Sequence, residues 1–311
     1  MCHLIYTDTF YMKRKWIRWV SWILLTPIIL FVILMVLLYV PPVQNLLRRE
    51  VTAYASKATG MQIQVERIDL RFPLNLLVRG VEVIQQPDTL LSLESLNVRV
   101  QAWPLIKGKV EVDEVTLSRV AVNSADLMEG MNIKGVLGRF FLQSHGVDLS
   151  NELAVINQVE LSDTHVQLLM NDTTTTPKDT TASAPINWKV ALHQLKLKNV
   201  SFSMQLPADS MRMAAHIGEA AIDDAQADLK NQYYDLKKFL LSGTSVSYDT
   251  GTAQPAEGFD ASHIAVRDIR IALDSLLYKG RDMNAVIREF TMNERSGLSV
   301  TSLTGRAYSN D

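Results

Sequence analysis

Apolar residues in this chain recur in a unit of five. Val110, Val112, Val115, Leu117, Val120 and Val122 follow an apolar-x-apolar-x-x order. The same order returns in Ile63, Val65, Ile68 and Leu70, in Val190, Leu192, Leu195, Leu197, Val200 and Phe202, and in Ile264, Val266, Ile269 and Ile271. Val159, Leu161, Val166 and Leu168 carry the same pairs around a longer gap at residues 162–165. Apolar residues two apart point to one face of an extended strand, and the β-branched content agrees. From residue 61 onward the chain therefore reads as mainly β.

The two-residue spacer needs a geometry of its own, because simple alternation would send Val112 and Val115 to opposite faces. A two-residue hairpin loop or a bulge would each restore one apolar face. Spacers such as Asp113–Glu114, Ser118–Arg119 and Arg267–Asp268 lack the glycine that tight hairpins want, so bulged, curved strands are expected at most of them. The opposite face carries Glu111, Asp113, Glu114, Ser118, Lys196, Lys198, Arg267 and Arg270 and reads as solvated.

An apolar sheet face is ordinarily covered by a second sheet or by helices. Covers are scarce here. The best helical candidate after residue 60 spans 126–142 and is interrupted by Gly130, Gly135 and Gly138, each costing about 1 kcal/mol relative to Ala in a helix. Either the sheet closes on itself as a sandwich or barrel, or it curls into a trough whose lining takes a non-protein guest. Residues 171–185 are Thr-rich without apolar periodicity. They read as a loop or linker between a first β segment, 61–170, and a second, 186–311, itself read as truncated. Residues 251–258 make a shorter break.

The N-terminus carries the strongest helical signal. Residues 19–43 contain no ionisable residue except the weakly acidic Tyr39, and 20–40 are almost wholly apolar, about 31 Å as a helix. A transmembrane anchor over 19–42 is expected, with Pro27 tolerable inside it. Trp16, Trp19 and Trp22 mark one interface and Tyr39 the other. Lys13, Arg14, Lys15 and Arg18 precede the span, so residues 1–18 stay cytoplasmic and the bulk is exported. A cleaved signal peptide usually has a shorter apolar region ending in small residues, whereas this one runs into Pro41 and Pro42. Residues 43–60 place Val43, Leu46, Leu47, Val51, Tyr54, Ala55 and Ala58 at helical spacing before Gly60. That short amphipathic helix could pack on the following domain or lie on the bilayer.

Composition and motifs exclude most chemistry. A formal net charge of −2 provides no basic field for nucleic acid. One cysteine, Cys2, rules out a disulfide scaffold. His3, His145, His165, His193, His216 and His263 share no metal-ligand spacing. Gly130, Gly135 and Gly138 are not followed by the Lys-Ser or Lys-Thr of a phosphate loop, and no Gly-x-Ser-x-Gly turn occurs. Asp223 and Asp224 read as solvated acids. No catalytic residue, metal or cofactor is expected, and the protein is not expected to be an enzyme.

The order of the elements resembles the AsmA-like family, and within it the TamB group of Bacteroidetes, inner-membrane subunits of translocation and assembly modules. The features that carry the resemblance are the helix end at Thr59-Gly60, the Asp88-Thr89-Leu90-Leu91 turn into a strand, the connection from Pro104-Leu105 to Lys107-Gly108-Lys109, and the repeated Val-x-Leu pairs. The resemblance implies a single-pass inner-membrane protein with a periplasmic, elongated, curved antiparallel β-sheet groove. It further implies a role in outer-membrane biogenesis, through phospholipid transport or through assembly and secretion of outer-membrane proteins. The partners implied are the inner membrane, phospholipid acyl chains, and an outer-membrane barrel reached through a C-terminal region that this sequence does not include. Lining candidates are the repeated positions named above. The alternative is a closed, membrane-anchored β scaffold or chaperone that binds exported proteins at its strand edges.

Overall fold

The computed structural model describes residues 39–72, 74–106, 111–124, 127, 130–148, 151–171 and 187–309. Among these, twelve strands form one open, curved sheet in strict chain order. They are β1 (Gln62–Arg71), β2 (Asn75–Gln85), β3 (Asp88–Val100), β4 (Val112–Asn123), β5 (Met131–Asp148) and β6 (Leu153–Met170), then β7 (Lys189–Leu206), β8 (Met211–Asp228), β9 (Tyr233–Asp249), β10 (His263–Lys279), β11 (Asp282–Glu294) and β12 (Ser299–Ser309). Helix α1 (Pro41–Thr59) precedes β1, and the short α2 (Ala102–Ile106) joins β3 to β4. Pro41 and Pro42 open α1 at positions where a missing N–H costs nothing. Gly60 closes it at φ 72°, donating its N–H to the Ser56 carbonyl at 3.0 Å.

The expectation of an antiparallel sheet holds for every neighbouring pair except one. β7 runs parallel to β6, with Leu153 beside Lys189 and Leu169 beside Gln205. A parallel pair needs a crossover of a dozen or more residues, and the chain between Met170 and Lys189 supplies it. The two β segments flanking the Thr-rich stretch are thus neighbours in a single sheet; residues 172–186 lie outside the described residues.

Of the helix expected over 126–142, residues 131–142 are instead the first part of β5, which pairs with β4 on one side and β6 on the other. Gly138 explains part of this, because a Cβ there would come within 2.7 Å of the Asp163 Cβ on β6. The gap at 162–165 also closes into the regular unit, since Thr164, buried, occupies the apolar position between Leu161 and Val166.

The spacers take two forms. Bulges with a slipped register occur at Asp113, where Arg99 faces Glu114 but Val100 faces Val112, and around Arg267–Asp268. At Ser118–Arg119 there is no slip: Ser118 faces Ser95 and Val120 faces Leu93. The reason is that the neighbours carry the same spacer at the same level. Glu66, Gly80, Glu94, Arg119, Gly138, Asp163 and Asn199 stand opposite one another from β1 to β7, each bracketed by paired residues. Gly80, Arg119, Asp163 and Asn199 all have left-handed backbone, with φ between 46° and 58°. In β9 and β10, Gly243 and Asp268 repeat it at φ 59° and 55°. Each such residue resets the alternation, leaving two consecutive side chains on the polar face. The polar face is the longer path, so the strands bend toward the apolar side.

Polar contacts run along this crease. Asn199 Nδ2 donates to Asp163 Oδ1 at 2.8 Å, Asn293 Nδ2 to Asp268 Oδ2 at 3.1 Å, and Arg119 pairs with Glu94. Asn and Asp tolerate left-handed backbone better than other non-glycine residues, which accounts for three of these positions being met by Asp163, Asn199 and Asp268.

The break at 251–258 lies in the loop between β9 and β10. Asp260 closes that loop, accepting the backbone N–H groups of Ala256 and Ser262 at 3.0 and 2.9 Å, with the His263 ring at 2.9 Å. These donors, Ala256 first, hold its carboxyl down to about 2. Because the folded value is below the ordinary 3.8, the stabilisation is complete above that pH and is lost as pH falls through about 2. NMR titration of the Asp260 carboxyl should give a midpoint near 2; a midpoint at the ordinary value would refute the anchoring.

Candidate functional site

The apolar residues of successive strands line up in rows across the whole sheet. One row takes a residue from every strand: Ile68, Val78, Leu96, Leu117, Phe140, Leu161, Leu197, Ala220, Leu241, Ile271, Phe290 and Leu303, each paired with the next. A second row begins Leu70, Leu76, Val98, Val115, Leu142, Val159 and Leu195 and continues through Ile222, Phe239, Leu273 and Ile287. A third, beyond the crease, joins Ile63, Val83, Leu91, Val122, Gly135, Val166, Phe202, Ala215, Val246 and Val266. Val65 and Val120 belong to a parallel row with Val81, Leu93 and Leu137, joined by Thr164 and Val200.

The residues singled out by the five-residue unit are therefore brought together. Ile68, Leu117, Leu197 and Ile271 share the first row, and Leu70, Val115 and Leu195 the second. Ile63, Val122, Phe202 and Val266 share the third. Val112, Val190, Leu192, Ile264 and Ile269 also lie in the sheet. Val110 lies outside the described residues.

Nothing in the described chain covers these rows. None of the described lining candidates is buried; most are half-buried by their neighbours in the sheet, and Val122 and Phe202 are exposed. Apart from adjacent strands, substantial packing between elements among the described residues occurs only where α1 meets β1. The buried apolar side chains among the described residues are Leu90, Leu93, Leu206 and four alanines, with no large side chain fully buried. An apolar side chain left half in water forgoes a good part of the roughly 1.5–3 kcal/mol that full burial contributes. The sheet is held instead by its backbone ladder and by cross-strand pairs of about 0.2–1 kcal/mol each.

The arrangement is thus a trough whose apolar floor runs perpendicular to the strands. Twelve strands spaced roughly 4.8 Å apart give it a length of about 50 Å. The other face is charged: Lys196, Lys198 and Glu219 are exposed, and Arg270 pairs with Glu289 at 2.8 Å.

Sequence reasoning missed Val78, Leu96, Phe140, Leu241, Phe290 and Leu303, though β3 carries the same unit in Leu91, Leu93, Leu96 and Val98. Among the described residues no group of three or more His, Cys, Asp and Glu could hold a metal ion. Asp224 faces His193, its Oδ1 3.0 Å from Nδ1.

Most of the expected anchor, residues 19–38, lies outside the described residues, as do Lys13, Arg14, Lys15, Trp16, Arg18, Trp19 and Trp22. No described helix is long and apolar enough to cross a membrane. Tyr39 is described; its ring centroid is 6.4 Å from that of Phe72.

The fold and its floor define an open β-trough protein. No family model matches the chain, and no similar protein is found among curated sequences.

Proposed function

We propose that this protein carries phospholipid acyl chains along the apolar floor of its trough. The observation behind this reading is the uncovered row of apolar side chains that crosses every strand. Each methylene of a guest removed from water contributes roughly 0.8 kcal/mol, so an acyl chain binds without a specific polar contact. Because the row is continuous, one position along it resembles the next, and a bound chain meets no step larger than a side chain. The chemistry asks for no catalytic residue and no cofactor. The AsmA-like resemblance supplies the setting proposed for it: an anchor in the inner membrane, the trough in the periplasm, and a contribution to outer-membrane biogenesis.

A second reading has one observation in its favour. Among the described residues β12 pairs with β11 alone and is exposed along most of its length, so its outer edge suits strand addition by an exported protein. Lipid extraction and mass spectrometry of the purified full chain separate the two. Reproducible co-purifying phospholipid is expected; a lipid-free chain bound to protein would favour the edge instead.

A further inference from the structure

α1 meets the sheet through its polar side. Gln44 Nε2 donates to the Leu70 carbonyl at 2.9 Å, Arg48 Nη1 to that of Glu66 at 2.6 Å, and Ser56 Oγ accepts from Ile63 N–H at 3.1 Å. The reason is local: the outer edge of β1 offers backbone donors and acceptors, which polar side chains satisfy. Apolar side chains of the helix are left exposed beside this contact, Leu46, Val51 and Tyr54 by 56%, 53% and 77%. Two more aromatics are exposed at the same end of the sheet: Phe72, in the turn after β1, and Trp103, in α2 just beyond β3. Val100 N–H bonds the Leu74 carbonyl, so the two segments leave the sheet side by side.

We propose that this end of the trough is a bilayer-binding surface, with the outward side of α1, Phe72 and Trp103 seated at the headgroup level of a membrane. Three features of the chain select lipid as the occupant. Residues 20–38, immediately before the described chain, are almost wholly apolar, and they end at Tyr39, beside Phe72. With Arg48 turned to the sheet, Arg49 and Lys57 still outnumber Glu50 on α1, as suits anionic headgroups. Exposed Trp, Tyr and Phe beside such charges are the composition of an interface, where amphipathic rings are most stable. Glu50 lies between Leu46 and Tyr54 on the outward side, which keeps the helix at the surface and out of the hydrocarbon. The proposal rests on the groove reading for its purpose: with β1 against the bilayer, the apolar rows begin where lipid would enter them.

The test uses the full chain in vesicles of phosphatidylethanolamine with a minority of phosphatidylglycerol. In a Cys2→Ser background, Leu46→Cys, Tyr54→Cys, Phe72→Cys and Trp103→Cys each carry a nitroxide, with Lys198→Cys on the polar face as reference. All five sites are exposed or on the surface, so labelling leaves the sheet intact. The ratio of oxygen to nickel-chelate collisions should be several-fold higher at the four sites than at residue 198. Equal ratios would overturn the proposal. Phospholipid recovered with the chain while these labels stay aqueous discards this surface and keeps the groove; immersed labels with no recovered lipid do the reverse.

Discussion

Replacing Leu197 by Glu should lower acyl-chain crosslinking to β6, β7 and β8 about tenfold or more while leaving the fold in place. Leu197 stands between Leu161 and Ala220 in the row that crosses every strand, so both of its register partners are apolar. A carboxylate surrounded by hydrocarbon costs roughly 2.5 kcal/mol or more by membrane-insertion scales, equivalent to nearly two factors of ten in local occupancy. The empty sheet does not incur that cost, because Leu197 is only half-buried and a Glu there can reach water. Phospholipid with a photoreactive acyl chain, followed by peptide mapping of the adducts, reads the effect. Lys198→Glu, one residue away on the exposed polar face, should leave the yield unchanged. Equal crosslinking at β6 to β8 in Leu197→Glu and the parent would remove the row from the path. Leu117→Glu should reproduce the local loss around β3 to β5, where its neighbours are Leu96 and Phe140.

Much of this architecture was readable in the five-residue unit, and the limits have physical causes. The unit requires one apolar face however its spacer is built, so the lining around Leu117, Leu197 and Ile271 followed from sequence alone. The spacer itself did not. Whether Ser118–Arg119 slips the register depends on Glu94 and Gly138 across the ladder, and a single strand contains no information about its neighbours' alignment. Phe140 was lost because glycines at 135 and 138 looked like defects in a helix, whereas Gly138 allows close approach between strands. Thr164 was lost because its hydroxyl disguised an apolar position; buried, its Oγ1 donates to the Ser162 carbonyl at 3.2 Å. The parallel step at β7 was not legible in the apolar pattern at all. It depends on the length of the Thr-rich connection, which reads equally well as a linker or as a crossover. The uncovered floor is a property of what is missing above it, and only the assembled sheet reports that.

The crease that bends the sheet also makes it vulnerable, and Gly218→Val should be among the most damaging single substitutions, costing about 3 kcal/mol or more. A Cβ at position 218 would lie 2.9 Å from the Gly243 carbonyl oxygen, 3.1 Å from that of Ser242 and 3.2 Å from the Gly243 Cα. All three are backbone atoms of β9, so no side-chain rotation relieves the contact, and separating the strands would break the ladder on both sides of the crease. The registers around it, Glu219 with Ser242 and His216 with Ser245, are fixed by the apolar rows and cannot slide without turning those rows to the polar face. Gly138→Val is a sterner comparison than it looks but has one escape: its closest clash is with the Asp163 Cβ, and β6 could yield there only by giving up the Asn199 contact. Gly251→Ala serves as the control; it retains a left-handed backbone cost of roughly 1 kcal/mol but meets nothing within 4 Å. The midpoint of urea unfolding, followed by far-ultraviolet circular dichroism of the full chain in detergent, should fall steeply for Gly218→Val and modestly for Gly251→Ala. A Gly218→Val midpoint no lower than that of the control would mean that β8 and β9 do not approach this closely, and the crease would lose its structural basis.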